Sequence, residues 1–171
     1  MHQRYIAEDH ALALHGVYVA LFRARQTCPA HFRDNDITRV MTGLMASKPW
    51  SWRVIGITPA ALDVFAQHEF NRPTGEIQRG HLVNRVATSR QLFDRDAPAE
   101  RDDFLALWLQ NDRTVLMRKG ENTHGREVPN FIEIENDDAF LFPSGTLIGW
   151  QHRKAERDFL RKLHELQIST R

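Results

Sequence analysis

One cysteine, Cys28, stands in the 171 residues. Its isolation excludes an internal disulfide framework and a cysteine zinc ribbon, and at this length a hydrophobic core can form without either. No run of about twenty apolar residues is present, the length a membrane-spanning helix needs. The first residues also lack the apolar stretch and cleavage pattern of a secretory signal, so the sequence predicts a cytoplasmic protein with no membrane partner. Neither sign of charge dominates: 23 Lys and Arg stand against 22 Asp and Glu, with nine His, for a formal net charge of +1. Bulk electrostatics therefore does not mark a nucleic-acid binder, and only a local segregation of charge can. No internal repeat or low-complexity linker divides the chain, which leaves a single domain over residues 1–171 as the simplest organisation.

The charges are segregated. Segments 72–95 and 113–126 are rich in Arg, Lys and His, whereas 96–103 and 133–138 are acidic, so a basic face is compatible with a nearly neutral protein. Two stretches inside the basic segments carry the chemistry. Gln78-Arg79-Gly80-His81-Leu82-Val83 places a histidine at the end of a short apolar strand, and Val115-Leu116-Met117-Arg118-Lys119-Gly120-Glu121-Asn122 runs from an apolar strand through a polar turn to an asparagine. Hydrolysis of a phosphodiester needs a base for the attacking water and positive charge on the phosphoryl oxygens and the leaving group. An imidazole of ordinary pKa is neutral at pH 7, so His81 can be that base. A hard divalent cation takes oxygen ligands and keeps several waters, and the side-chain carbonyl of Asn122 can supply one ligand. Arg79, Arg85, Arg113, Arg118, Lys119 and His124 fall in the same segments and can meet phosphates, arginine in bidentate fashion and lysine as a point charge.

The pair of stretches resembles the ββα-metal (HNH) nucleases, over roughly residues 74–130. Gln78-Arg79-Gly80-His81 is similar to the Asp-Arg-Gly-His signature of the nonspecific endonucleases in that superfamily, which implies His81 as general base. The segment ending at Asn122 is similar to the second strand, turn and helix start of HNH domains, which implies Asn122 as ligand, with His81, of one Mg²⁺ or Mn²⁺. The carboxylates that those families carry just before the histidine or three residues before it are replaced here by Gly80 and Gln78. Either Asn122 is the sole protein ligand or another residue completes the site, with Glu76, Asp112, Glu121 and His124 as candidates. The implied activity is a divalent-metal-dependent endonuclease acting on DNA, or on RNA, and the long flanks suggest a sequence-selective enzyme of restriction or defence type. A homodimer is expected if the target is palindromic. The bland alternative is a nucleic-acid- or partner-binding module on a degenerate nuclease fold, with His81 one of nine ordinary histidines, Gly80 a bulge or close backbone approach, and Asn122 a turn residue.

Around these stretches the periodicity predicts an α+β fold, with helices around a small mixed sheet: a helical part over 1–70, the catalytic unit over 74–130, and a strand pair plus helix over 131–171. Ile6, Ala13, Leu14, Val17, Leu21 and Ala24 recur at helical spacing between Arg4 and Arg25, with Pro29 as a stop. A second helix fits Ile37–Ala46, capped by Asn35 or Asp36. Trp50 and Trp52 can stack on bases but read more simply as packing residues. Arg53–Ile57 reads as a buried strand, and Thr58-Pro59 as the cap and first residue of a helix to about Glu69. Glu76–Val83 is the first motif strand. Residues 85–93 are polar with scattered apolar positions, a helix is expected from Asp96-Ala97-Pro98 to about Leu109, and Asn111-Asp112 turns into the second motif strand, with Asn111 a candidate catalytic-site residue that holds that loop in place by a hydrogen bond. A short helix is expected after Asn122, a half-exposed strand at Phe131–Glu135, a strand pair around Ser144-Gly145, and a helix over Gln151–Gln167 with Ala155, Phe159, Leu163 and Leu166 inward.

Overall fold

The structure, a computed structural model, describes residues 6–46, 48, 50–122, 129–134, 141–144 and 150–169. Among these residues the elements run α1 (Glu8–Thr27), α2 (Asp34–Met45), β1 (Arg53–Ile57), α3 (Pro59–Gln67), β2 (Ile77–His81), α4 (Arg85–Phe93), α5 (Arg101–Asn111), β3 (Arg113–Arg118), β4 (Ile132–Glu133) and α6 (Lys154–Ser169). The architecture is α+β with a small mixed sheet of order β2-β3-β1-β4. β3 lies between β2, with which it is antiparallel, and β1, with which it is parallel; β4 closes the other edge antiparallel to β1. Central β3 is apolar from Val115 to Met117 and buried there, as a strand covered on both faces must be.

Two hydrophobic cores result. In one, α1, α2, α4 and α5 pack around Leu14, Tyr18, Phe22, Ile37, Met41, Phe93, Phe104 and Trp108. In the other, Val54, Ile57, Ile77 and Leu116 of the sheet meet Leu62 and Phe65 of α3 and Leu160 of α6. The α4–α5 pair is an excursion between two strands that are neighbours in the sheet, so one part of the helical core is inserted between β2 and β3 while α1 and α2 come from before β1.

Where the elements follow sequence logic, the cause is local. Thr58 accepts a hydrogen bond from the Ala61 N–H at 3.2 Å with Pro59 at the first helical position, and β1 has the bounds its apolar run predicts. Other expectations are corrected. Helix α1 buries Ala11, Leu14, Tyr18 and Phe22, whereas Ala13 and Val17 face outward. Helix α2 begins a turn earlier than expected, at Asp34, with Arg33 in the capping position and no side-chain cap. Residues 85–93 are a full helix, whose cap is the Asn84 side chain accepting from the Val86 N–H at 2.8 Å. Helix α5 starts only at Arg101, after Glu100. In α6 the buried positions are Glu156 and Leu160, with Ala155 and Leu166 exposed and Phe159 and Leu163 half-buried. Of the strand pair around Ser144-Gly145, a single antiparallel bridge, Ser144 to Trp150, is described. The helix expected after Asn122 falls on 123–128, outside the described residues.

Candidate active site

The β2–β3 register decides which side chains can meet. Gly80 lies opposite Val115 and His81 opposite Thr114. Period-two alternation then puts Ile77, Arg79, His81, Thr114 and Leu116 on one face, and Gln78, Gly80, Val115 and Met117 on the other. Asp112, two residues before Thr114, shares the face of His81. Its Oδ1 is 3.2 Å from His81 Nε2, and its Oδ2 accepts the Trp52 backbone N–H at 2.7 Å. A carboxylate only accepts, so the Nε2 side of the His81 ring donates to Asp112 and Nδ1 is the nitrogen turned away from it.

Trp52 gathers the rest. Its backbone has φ +54°, in the left-handed region, which lets its N–H reach Asp112 while its carbonyl accepts from Arg79 Nη1 at 3.1 Å and from the Thr114 hydroxyl at 3.0 Å. The indole meets the His81 ring edge-to-face at 4.7 Å between centroids, and the guanidinium carbons of Arg79 and Arg85 lie 4.9 and 5.3 Å from its centre. Arg79 also reaches the Ser144 hydroxyl at 3.4 Å, and Arg85 the Thr42 hydroxyl at 3.4 Å. Burial pulls the Arg79 guanidinium down to about 10, against the upward pull of the Asp112 charge, so it remains a cation at neutral pH. The arrangement is a histidine held in one tautomer by a carboxylate, beside two cations on one aromatic ring.

The other expected site residues fall elsewhere. Asn122 lies on the far face: a Cβ placed on Gly80 would meet Met117 Sδ at 2.7 Å and Asn122 Cγ at 3.3 Å. Gly80 is thus the close approach its residue type suggested, and the hairpin stands between Asn122 and the His81 ring. Asn122 thus packs on the side of β2 from which the His81 side chain is turned away, and no group of three or more His, Cys, Asp or Glu that could hold an ion is found among the described residues. Of the residues considered as a further ligand, Glu76 pairs with His68 at 2.7 Å, and Glu121 accepts from the Thr58 hydroxyl and the Arg118 N–H, each at 2.7 Å. Asp112 is the one that reaches His81, as an orienting acceptor. His124 lies outside the described residues.

Asn111 is buried at the end of α5 and donates to the Gln91 side chain at 3.0 Å, so it joins α5 to α4 and holds the turn rather than reaching the site. Arg113 is tied to the Gln110 carbonyl at 2.8 Å, while Arg118 and Lys119 are exposed at the far end of β3. Trp50 and Trp52 are buried, which makes them packing residues and not a platform for bases. The sequence puts Trp52 among the packing residues, and Asp112 both in the turn before β3 and among the candidates for a further ligand. The signal for Asp112 was available: once the motif strands pair with His81 opposite Thr114, parity alone puts Asp112 on the histidine's face. Nothing in the sequence marks the turn of the Trp52 backbone. No helix among the described residues is long and apolar enough to cross a membrane. No protein-family model, curated protein or solved structure matches the chain.

Proposed function

We propose that the protein is an endonuclease that hydrolyses phosphodiester bonds of DNA at the face carrying His81. The observation that supports this reading is the His81–Asp112 pair at 3.2 Å, set beside Arg79 and Arg85 on the Trp52 ring. In this mechanism Nδ1 of His81 takes a proton from water as the water oxygen bonds to phosphorus in line with the departing 3′-oxygen. The P–O3′ bond breaks, and the leaving oxygen takes a proton from solvent. Asp112 holds the tautomer and stabilises the imidazolium, and the two guanidinium groups offset charge on the phosphoryl oxygens. No step is routed through a metal ion, since Asn122 and His81 stand on opposite faces. A selective, restriction-type role would draw on the helical flank beside Arg85.

The test is incubation of supercoiled plasmid and an RNA control with the protein in Mg²⁺, Mn²⁺ or EDTA. His81→Ala is expected to lower cleavage by about 10²–10⁴-fold, the size of a lost general base, and Asp112→Asn to lower it with the fold intact. Cleavage that persists in EDTA goes with charge supplied by the arginines. Cleavage lost in EDTA and in Asn122→Ala would bring back the divalent ion, carried on the Asn122 side of the hairpin. A second reading, a nucleic-acid-binding module without catalysis, is favoured by the low exposure of the pair, 11 % for the His81 side chain and 7 % for Asp112. It predicts binding without cleavage on every substrate, unaltered by His81→Ala.

A further inference from the structure

Helix α1 is apolar on two sides. The inner side carries Ala11, Leu14, Tyr18 and Phe22, packed toward α2 and α5. At 100° per residue, Leu12, Ala13, Gly16, Val17 and Ala20 fall in one arc on the outer side, and all five are exposed, Leu12 by 56 % and Val17 by 42 %. The arc is bounded by an acid and a base, Asp9 and Arg23. Their neighbours on the helix are paired within the protomer, Glu8 with Arg101 and Arg25 with Asp34 and Asp94. Among the described residues Asp9 and Arg23 form no ion pair, and the Asp9 carboxylate accepts only the adjoining His10 N–H at 2.8 Å.

Gly16 sits at the middle of this arc. A Cβ there would meet nothing within 4 Å, so no close approach inside the protomer calls for glycine. Yet a glycine in a helix interior costs about 1 kcal/mol relative to alanine. The arc is also self-complementary about Gly16. Asp9 and Arg23 lie seven residues to either side of it, and Leu12 and Ala20 four. Reversed against a second copy, the helix sets acid against base, a large side chain against a small one, and glycine against glycine.

We propose that this face of α1 is a homodimer interface, in which α1 packs antiparallel against α1 of a second copy with the crossing at Gly16. The contact is isologous: Asp9 meets Arg23 twice, and Leu12 lies over Ala20 twice. Missing side chains at Gly16 let the two backbones approach, and Val17 flanks the crossing. A single helix pair buries less than the ~1,600 Å² of a standard interface, so the dimer is weak, with a dissociation constant in the micromolar range. The contact involves α1 alone and is independent of the chemistry at His81.

Sedimentation velocity over about 1–100 µM spans the expected constant. The wild-type chain is expected to pass from monomer to dimer across that range. Asp9→Arg and Arg23→Asp, each at an exposed position and checked for fold by circular dichroism, are expected to raise the dissociation constant at least about fivefold by turning two attractions into two repulsions. The double variant Asp9→Arg with Arg23→Asp is expected to return to near the wild-type value, since only an antiparallel self-pair restores both contacts. A wild type that stays monomeric throughout would overturn the proposal. So would a dimer indifferent to the single reversals, or a double variant as weak as the singles.

Discussion

The helical core and the sheet core differ in what they bury. Around α1, Tyr18 stacks on Phe104 at 4.6 Å with the rings 7° from parallel, Phe93 and Phe22 close the cluster, and the ion pairs Arg25–Asp34, Arg90–Asp34 and Arg101–Glu8 stay at the surface. The sheet core and its junction with the helices instead enclose charge: Glu156 and Asp112 are buried, and Arg79 is half-buried. Each enclosed charge has partners, as burial demands. Glu156 accepts from the backbone N–H groups of Phe142 at 3.1 Å and Arg153 at 2.8 Å and from the Arg153 guanidinium, so one carboxylate caps α6 and anchors residues 141–144. Helices can bury a stripe of rings and leave their charges outside. A sheet whose polar ends meet loops has to satisfy those loops from within, and there reactive groups can be held in fixed poses.

The contrast can be broken from the helical side first. Phe104→Ala removes the ring stacked on Tyr18 and is expected to cost about 3–5 kcal/mol in urea unfolding, the range for large-to-small changes in a packed core. Because α4–α5 is threaded between β2 and β3, hydrogen exchange of β3 amides is expected to accelerate together with that of α1. Protection in β3 that survives unchanged would make the two cores separate cooperative units.

Next comes the buried carboxylate. Glu156→Ala strands the Phe142 N–H and uncaps α6, with an expected loss of about 2 kcal/mol at pH 7. Glu156 also makes the sheet core sensitive to pH. Burial pushes the Glu156 carboxyl up, but the hydrogen bonds from the Arg153 side chain and from backbone N–H groups outweigh it, and the net shift is downward. A carboxyl lowered on folding stabilises fully above its ordinary value of about 4.3, and that contribution is lost as pH falls through the folded value. His152 acts in the same direction at higher pH. Burial beneath the Phe65 ring, stacked at 5.4 Å, lowers its imidazole, so the unfolded chain binds the extra proton as pH falls below the ordinary 6.5. Acid is therefore expected to loosen the sheet core before the helical one, and Glu156→Ala to flatten the acid limb of the stability curve. An unchanged acid limb would count against it.

The smallest effect belongs to Tyr18. Its hydroxyl donates to the Leu92 carbonyl and accepts the Ala99 N–H, both at 2.9 Å, so it pins the α4–α5 link to α1. Tyr18→Phe keeps the ring stack and is expected to cost about 1–2 kcal/mol in the same unfolding assay for the two stranded backbone groups.

What could be read beforehand divides along physical lines. Thr58-Pro59, the apolar run of β1, and the pairing potential of β2 and β3 are local signals, and they hold in the structure. Helix α4 was hidden because its sequence is polar; it stands by burying Thr88, Ser89, Leu92 and Phe93 against α2 and α5, contacts that no window of its own residues reveals. The inner face of α1 is not legible in the sequence because the helix is apolar on both sides, and periodicity cannot rank two apolar stripes. At the candidate site, His81 and Arg79 were legible as types in a motif. The resemblance pairs Asn122 with His81, whereas in the structure Asn122 packs on the Gly80 side of β2 and the His81 side chain turns to the other face.

The element types of most of the chain, the α+β class, the lack of an internal disulfide and the two motif strands are legible in the residues, because these depend on neighbours a few positions apart. Packing between distant segments sets the rest: Asp112 meets His81, Trp52 joins two arginines to the histidine, and α1 turns Leu12 and Val17 outward. The reason is that a one-residue change of strand face or a quarter-turn of a helix costs nothing in local preference, so long-range packing alone chooses between them.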